Sequence, residues 1–471
     1  MPALGLMEKL RYIALSTSRL GVLCASLCVL CAENCVALCF SEKFGMPNCL
    51  HLVTRKCSEA QNKQGVLYLR QISYKTKFMK FTQLAILAFF CAACNNTRPS
   101  DPGDVDTALY NDLQTQLINA KPGDVINIPA GIHHFDRPLL LDGVKGVTIQ
   151  GAGKDKTILS FLGQKAGAEG LKITADSVLI QNLTVTDTKG DAIRVQDAKH
   201  VTMRNVKTTW SGGAKASNGG YGLYPVGCDG VLIDQCEASF ASDAGIYVGQ
   251  SKNVVVKNSY AHENVAGIEI ENCSNAEVKY CRSEKNTGGI LVFDLPGLPA
   301  GNGKTCNIHH NKIISNNHRN FAPEGNIVAT VAPGTGMIFL AAKDVEAHHN
   351  EVIGHKTMGA AIASYHIVQL KWDDKNYDPY TYDIKLHNNH FERKKALPDL
   401  SKDFGKMVNV YFGGKPQDIL YDGILDDKRP SGSNPMNICI DQPQAGLRFA
   451  NIDAANDFKN INPDLKPYQC K

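Results

Sequence analysis

Apolar and polar residues alternate in short bursts along most of this chain, and the bursts recur. Beginning at Ala244, AGIYVGQSKNVVVKNSYAHENV is followed by AGIEIENCSNAEVKYCRSEKNT at Ala266 and GGILVF at Gly288, so Gly245, Gly267 and Gly289 recur every 22 residues. A copy from Tyr221 is one residue longer, another from Asp191 carries an insertion, and GLKITADSVLIQNLTV from Gly170 is a further one. Within each copy, pairs such as Ile246-x-Val248 and Val254-x-Val256 sit between Gly, Asn, Ser and Asp, the pattern of short strands and turns. A unit this small cannot bury its own apolar side, but stacked copies can, each strand pairing with its equivalent ~4.8 Å away. The pattern predicts a right-handed parallel β-helix of about ten coils over 105–393. A β-propeller needs units about twice as long, and leucine-rich repeats need their leucine-asparagine signature.

Alternation then assigns faces. Ile193, Leu223, Ile246, Ile268 and Ile290 point inward, so Arg194, Tyr224, Tyr247, Glu269 and Leu291 form an outward column, with Gln196, Gly249, Glu271 and Phe293 beside it. Asn311, Asn350 and Asn389 recur at 39 residues, one coil plus an inserted loop, and predict a ladder of amides along the stack. His309, His348 and His387 share that register; metal ligands converge, whereas stacked equivalents run parallel, so no metal site is assigned to them. Cys228 and Cys273, with Ser251 between, and Cys236 and Cys281, with Ser259 between, lie two coils apart and read as small core fillers. At the ends, Val105, Leu109, Leu113 and Leu117 stripe a helix over Asp104–Ala120 that caps the stack. The period fades into a tail over 394–471, where Cys439 and Cys470 could form a disulfide.

Ahead of the repeats, MKFTQLAILAFFCAACNN from Met79 combines a lysine, an apolar run too short to span a bilayer, and small residues before a cysteine. It resembles the signal and lipobox of an exported bacterial lipoprotein. Residues 79–93 are then a signal peptide, Cys94 the acylated N-terminus, 94–104 a tether and 1–78 a mis-chosen start or a dispensable extension, with a second membrane segment as the alternative. That extension holds the apolar segment Leu20–Phe40 with Cys24, Cys28, Cys31, Cys35 and Cys39 at helical spacing. Removing 1–93 changes the charge: the full chain carries +4, whereas the remainder holds 39 basic and 42 acidic residues. A weakly acidic body offers no electrostatic case for nucleic acid. The expected location is the bacterial cell envelope, on the outer membrane, with the membrane reached through the lipid alone.

The blocks GAEGL (from Gly167), TKGDAI (Thr188), YGLYPV (Tyr221), SDAGIYVGQS (Ser242), VAGIEIEN (Val265), TGGILVFDLPG (Thr287) and NFAPEGNIVATVAPGTG (Asn320) resemble those of the exported parallel β-helix repeat family of Gram-negative bacteria. That family belongs to the pectate-lyase-like group. The resemblance covers about 105–390 and implies the fold; the family has no settled activity.

Candidate chemistry gathers on the outward column. Insertions at 211–219, 295–304, 318–334 and 367–382 flank it, and Trp210, Trp372, Tyr377, Tyr380 and Tyr382 in or beside them are candidate platforms for sugar rings. Three readings compete. A lyase or C5-epimerase acting on acidic polysaccharide needs the uronate carboxylate neutralised, by Arg194 or by Ca²⁺ on Glu269, Glu271 or Asp294, and a base such as Tyr224, Tyr247 or His262. The Asp-Pro-His-Asp signature of alginate C5-epimerases is absent, since Asp378-Pro379 runs into Tyr380. A hydrolase would use Glu269 and Glu271, ~6.6 Å apart along a strand, although two glutamates on a solvent-facing strand can equally be merely solvated. The third reading is a non-catalytic protein that binds glycan or an envelope partner. No other cofactor is expected: GAGKDKT at Gly151 fails the phosphate-loop pattern, and Gly-x-Ser-x-Gly, His-Glu-x-x-His and Cys-x-x-Cys-His signatures are missing where they would count.

Overall fold

A computed structural model describes residues 103–470, together with two three-residue strands, Leu30–Ala32 and Cys35–Ala37. The chain divides into units 1–95 and 96–471. In the first, the two short strands pair antiparallel where helical cysteine spacing was expected. Cys94 and the signal segment lie outside the described residues.

The second unit is a stack of coils. Eleven strands form one parallel sheet: β1 Leu139–Asp142, β2 Leu171–Thr174, β3 Ile193–Gln196, β4 Tyr221–Val226, β5 Ala244–Gly249, β6 Ala266–Glu271, β7 Gly288–Phe293, β8 Thr335–Leu340, β9 Met358–Ala363, β10 Gln417–Tyr421 and β11 Phe449–Asn451. The remaining strands build the other walls in matching parallel order, with Leu179–Thr186 and Lys199–Thr209 long enough to run through two of them. The result is a right-handed parallel β-helix. The predicted register holds: Ile193 pairs with Leu223, Leu223 with Ile246, Ile246 with Ile268 and Ile268 with Ile290, and all five are fully buried in one continuous core.

Corners between walls require backbone that most side chains avoid. Asn182, Asn205, Asn258, His310, His349 and Asn388 all have φ between 51° and 58°, the left-handed conformation that asparagine tolerates best after glycine. The amide ladder forms as expected: Asn311 Nδ2 donates to Asn350 Oδ1 at 2.9 Å and Asn350 Nδ2 to Asn389 Oδ1 at 2.8 Å. A second ladder, unseen in the sequence, runs Asn264, Asn286, Asn316 and ends on His355, whose imidazole burial holds neutral with a pKa pushed down to about 3. His309, His348 and His387 stack face to face, with centroids 5.0 and 4.9 Å apart. The cysteines fill the core with their serine neighbours: Cys228 N–H donates to Ser251 Oγ and Cys236 N–H to Ser259 Oγ, at 3.0 and 3.1 Å.

The capping helix α1 (Thr107–Ile118) starts where Asp106 accepts from Leu109 N–H and ends short of the predicted Ala120. Leu113 and Leu117 seal the core, and Gln114 both donates to Leu140 O and accepts from Leu140 N–H (3.0 and 2.9 Å), satisfying the open edge of β1. At the far end the stack continues past residue 393. β10 and β11 extend the long sheet, and Ile438–Asp441 pairs with Tyr382–His387, so the tail adds a coil rather than only packing on the stack. Its shorter strands, separated by long loops and the helix α2 (Asp403–Tyr411), hide the period in the sequence. Cys439 is disulfide-bonded to Cys470.

Candidate functional site

The outward column exists as drawn, with Lys172 beside Arg194, then Tyr224, Tyr247, Glu269, Leu291 and Ile338 on successive rungs. Its surroundings differ from the expectation of a solvent-facing strand. Loops 318–334 and 364–382 fold back over β5–β9 and build a second apolar cluster outside the sheet, in which Phe321, Val328, Val331 and Tyr365 pack with Tyr247, Leu291, Phe293 and Leu340. Glu269 and Glu271 are therefore buried, at 2% and 8% exposure, not solvated. At its N-terminal rungs the column carries polar side chains, Lys172, Arg194 and Tyr224, all part-exposed, with Tyr224 packed against the margin of the roof cluster.

Most of the expected sugar platforms are packing residues. Trp210 lies in the core with its indole N–H on Thr188 O at 2.8 Å. Tyr377 is buried and donates to Asp294 O at 2.6 Å, and Trp372 stands edge-on to it and to Tyr365 inside the roof. Tyr380 is part-buried against His366, and Tyr382 lies under the Arg429 guanidinium, 3.6 Å away. Asp294 is sealed and held by Lys343 Nζ at 2.6 Å, with Gly303 N–H at 3.1 Å. A cation shared by Asp294, Glu269 and Glu271 would have to displace that ammonium, so the three do not fit a joint Ca²⁺ site; no cluster of three metal-binding side chains occurs among the described residues. His262 sits on another wall, beside Glu237.

At the edge of the roof the structure gathers residues that sequence reasoning missed. Tyr221 joins Tyr224 and Tyr247 in an aromatic trio, with centroids 4.3 to 5.0 Å apart, and Arg194 lies over the Tyr224 ring at 5.2 Å. Arg194 Nη2 donates to Gln196 Oε1 at 2.9 Å, and Nη1 is 3.8 Å from Glu169. Close enough to act on these phenols by charge are Asp191, Asp243, Glu269 and Glu271. Tyr247 donates to Glu271 at 2.6 Å, Asn326 of the roof loop to Asp243 at 2.8 Å, and Tyr221 N–H to Asp191 at 3.2 Å. Glu269 Oε2 has no hydrogen-bond partner. Gly249 permits this packing, because a Cβ there would meet Tyr247 Oη at 2.3 Å. Gly220, on the rung between Asp191 and Asp243, leaves open the space between them: its Cβ would lie 3.6 Å from Asp191 Oδ1 and 4.0 Å from Asp243 Cβ.

Burial so close to like charges raises the pH at which these acids give up their protons. Burial raises Asp191 to about 6. Burial, then the charge of Glu271, raises Asp243 to about 7, and burial raises Glu271 to about 7. Glu269 is pushed well up by burial and by Asp243. The same burial, with carboxylates around it, drives Tyr221 and Tyr247 far above their ordinary value, and Tyr224 also rises. Tyr247 is thus held as a hydrogen-bond donor to Glu271, and burial opposes ionisation of all three phenols. A signal for the two aspartates was present: TKGDAI and SDAGIY both place Asp-Ala at the start of a repeat strand, as Asp191-Ala192 and Asp243-Ala244.

Fold and site together define a right-handed β-helix with an acid–tyrosine cluster on one wall. Residues 169–371 match the family described as right handed beta helix region. No curated protein sequence matches the chain. Solved structures resembling it include the A-module of the mannuronan C-5 epimerase AlgE4 of Azotobacter vinelandii, at 14% identity over 74% of this chain and 94% of that one, with TM-score 0.46. An alginate lyase from a Paenibacillus species shares 16% identity over 60% of this chain and 95% of that one, with TM-score 0.39. The enzymatically active domain of tailspike protein 2 of bacteriophage CBA120 shares 10% over 66% and 43%, with TM-score 0.38. At these identities the likeness concerns the fold and assigns no chemistry to these residues.

Proposed function

We propose that the protein binds an acidic polysaccharide across the part-exposed rungs Lys172, Arg194 and Tyr224, and processes it with Asp191 beside them. The observation that carries this reading is the set of part-exposed polar rungs at that end of the column, a guanidinium over a tyrosine face beside Asp191. Burial raises the pKa of that carboxylate to about 6, so that it is a base poised near neutral pH. The best-fitting class of reaction is proton removal beside a uronate carboxylate, as in a lyase or C5-epimerase. Arg194 and Lys172 neutralise the substrate carboxylate, the part-exposed Asp191 accepts the proton, and the hydroxyl of the part-exposed Tyr224 is the acid partner. Hydrolysis by Glu269 and Glu271 is disfavoured because both are sealed. The lysine, apolar run and alanine pair before Cys94 support an envelope location with a lipid anchor on that cysteine.

Purified protein incubated with uronate polymers, with unsaturated products, reducing ends and binding followed together, tests the reading. Binding of a uronate polymer should weaken at least tenfold, ~1.4 kcal/mol, in Arg194→Ala, and turnover should disappear in Asp191→Asn. Binding without any product would leave a non-catalytic receptor; no binding would refute the proposal. A mass spectrum of the membrane-extracted protein should show an acylated N-terminal Cys94, and intact residues 1–78 would overturn the anchor.

A further inference from the structure

The site above leaves a different wall unexplained. Strands Lys252–Lys257, Ser274–Lys279, Lys304–His309 and Lys343–His348 carry on their outer side a concave groove of about 530 Å³. Three rung spacings make it ~14 Å long. Its floor is the column Glu277, Asn307 and Glu346, in direct register. One rim consists of left-handed turn residues, Asn253, Asn275, Thr305 and Asp344, tied along the rim by Asn275 Nδ2 on Asn253 Oδ1 (2.7 Å) and Thr305 Oγ1 on Asp344 Oδ2 (2.6 Å). Across the floor from that rim runs the histidine stack.

The floor is pre-ordered. His309 Nε2 lies 2.9 Å from Glu277 Oε1, and His387 Nε2 is 2.9 Å from Glu346 Oε1; Lys279 and Lys385 hold the same two carboxylates at 2.7 and 2.9 Å. Burial opposes ionisation of Glu277, but Lys279 and His309 hold it below the usual range, and Lys385 and His387 do the same for Glu346. Between these anchored acids, Asn307 Oδ1 is shielded yet has no hydrogen-bond partner. Asn307 as a whole is part-buried at the centre of this polar floor, and rotation of its amide about χ2 brings the unmatched oxygen out to a ligand donor.

We propose that this groove is a second binding site, for a short run of an uncharged, hydroxyl-rich glycan, whose hydroxyls donate to Asn307 and to Glu277 and Glu346 on either side. Lys279 and Lys385 neutralise Glu277 and Glu346, so the groove offers no net positive charge to a polyanion, and the Asp344 carboxylate on its rim opposes one, unlike the Arg194 rungs. The two sites lie on different sheets, and each can fail alone.

Calorimetric titration of the full chain with cellohexaose, laminarihexaose and mannohexaose, beside hexagalacturonate, tests it. At least one neutral hexasaccharide should bind. Asn307→Ala and the Glu277→Gln, Glu346→Gln pair should weaken that binding at least tenfold, and Arg194→Ala should leave it unchanged. Hydrogen exchange in the unmutated protein, which needs no variant to fold, should slow at 275–279 and 305–309 when the sugar is added. Failure of all three neutral sugars to bind overturns the proposal, as does binding unaffected by the floor variants, protection elsewhere, or hexagalacturonate binding in the same groove.

Discussion

Replacing Asp191 by asparagine removes a carboxylate whose ionisation the fold opposes. Burial is the main cause of its rise from 3.8 to about 6, with the Tyr221 N–H and Arg194 pulling the other way. The gap spans about two tenfold steps in proton affinity at ~1.36 kcal/mol each, so an ionised Asp191 costs the folded state about 3 kcal/mol. Because the folded form binds this proton more tightly than the unfolded form, the cost is absent below about pH 4. It grows as pH rises through the window to about 6 and is complete above it. Asparagine keeps an oxygen for Tyr221 N–H and never ionises. Asp191→Asn should therefore be more stable than the parent by up to about 3 kcal/mol at pH 8, and nearly equal to it at pH 4, while losing turnover. Urea unfolding followed by circular dichroism at pH 4, 6 and 8 measures the difference. A variant no more stable than the parent at pH 8 would refute the reasoning, because it would mean that Arg194 and the backbone donor outweigh burial and that Asp191 is an ordinary ion-paired residue.

Other perturbations test the frame. Asn350→Ala strands Asn311 N–H and Nδ2 and Ile308 O in the interior, and should cost about 3 kcal/mol, with hydrogen exchange accelerating around 311 and 389 rather than at the capping helix. Reducing Cys439–Cys470 releases a loop closed over a sequence separation of 31, and should destabilise the last coil by about 3–4 kcal/mol, read as a lower melting temperature in reductant. No shift there would show that the coil is held by β10 and β11 alone. Gly249→Ala drives a methyl into Tyr247, so near-ultraviolet circular dichroism should change and the Tyr247–Glu271 bond should be lost; an unchanged spectrum would contradict the tight packing of that corner.

Several features were legible in advance because they repeat. The 22-residue period places Ile246, Ile268 and Ile290 over one another, and a parallel ladder tolerates no slip of register without turning every side chain to the other face. The Asn311–Asn389 ladder follows from spacing in the same way. The second ladder escaped notice because Asn264, Asn286 and Asn316 sit at 22 and then 30 residues, interrupted by a loop, and its last member is a histidine. Residues after 393 looked irregular because insertions outweigh the short strands they separate.

What the sequence alone determined is whatever depends on neighbours one coil away: the stack, its register, the inward column and which residues could point outward. Tertiary structure decided what meets the outward column. Asn326 reaches Asp243 from 83 residues further on, and Tyr377 reaches Asp294 from a similar distance. Non-periodic loops choose their resting place by packing apolar side chains against whatever surface is near, and that choice is not written in any local pattern. It turned Glu269 and Glu271 from solvated residues into sealed acids, sealed Asp243 with them, and left Lys172, Arg194, Tyr224 and Asp191 part-exposed.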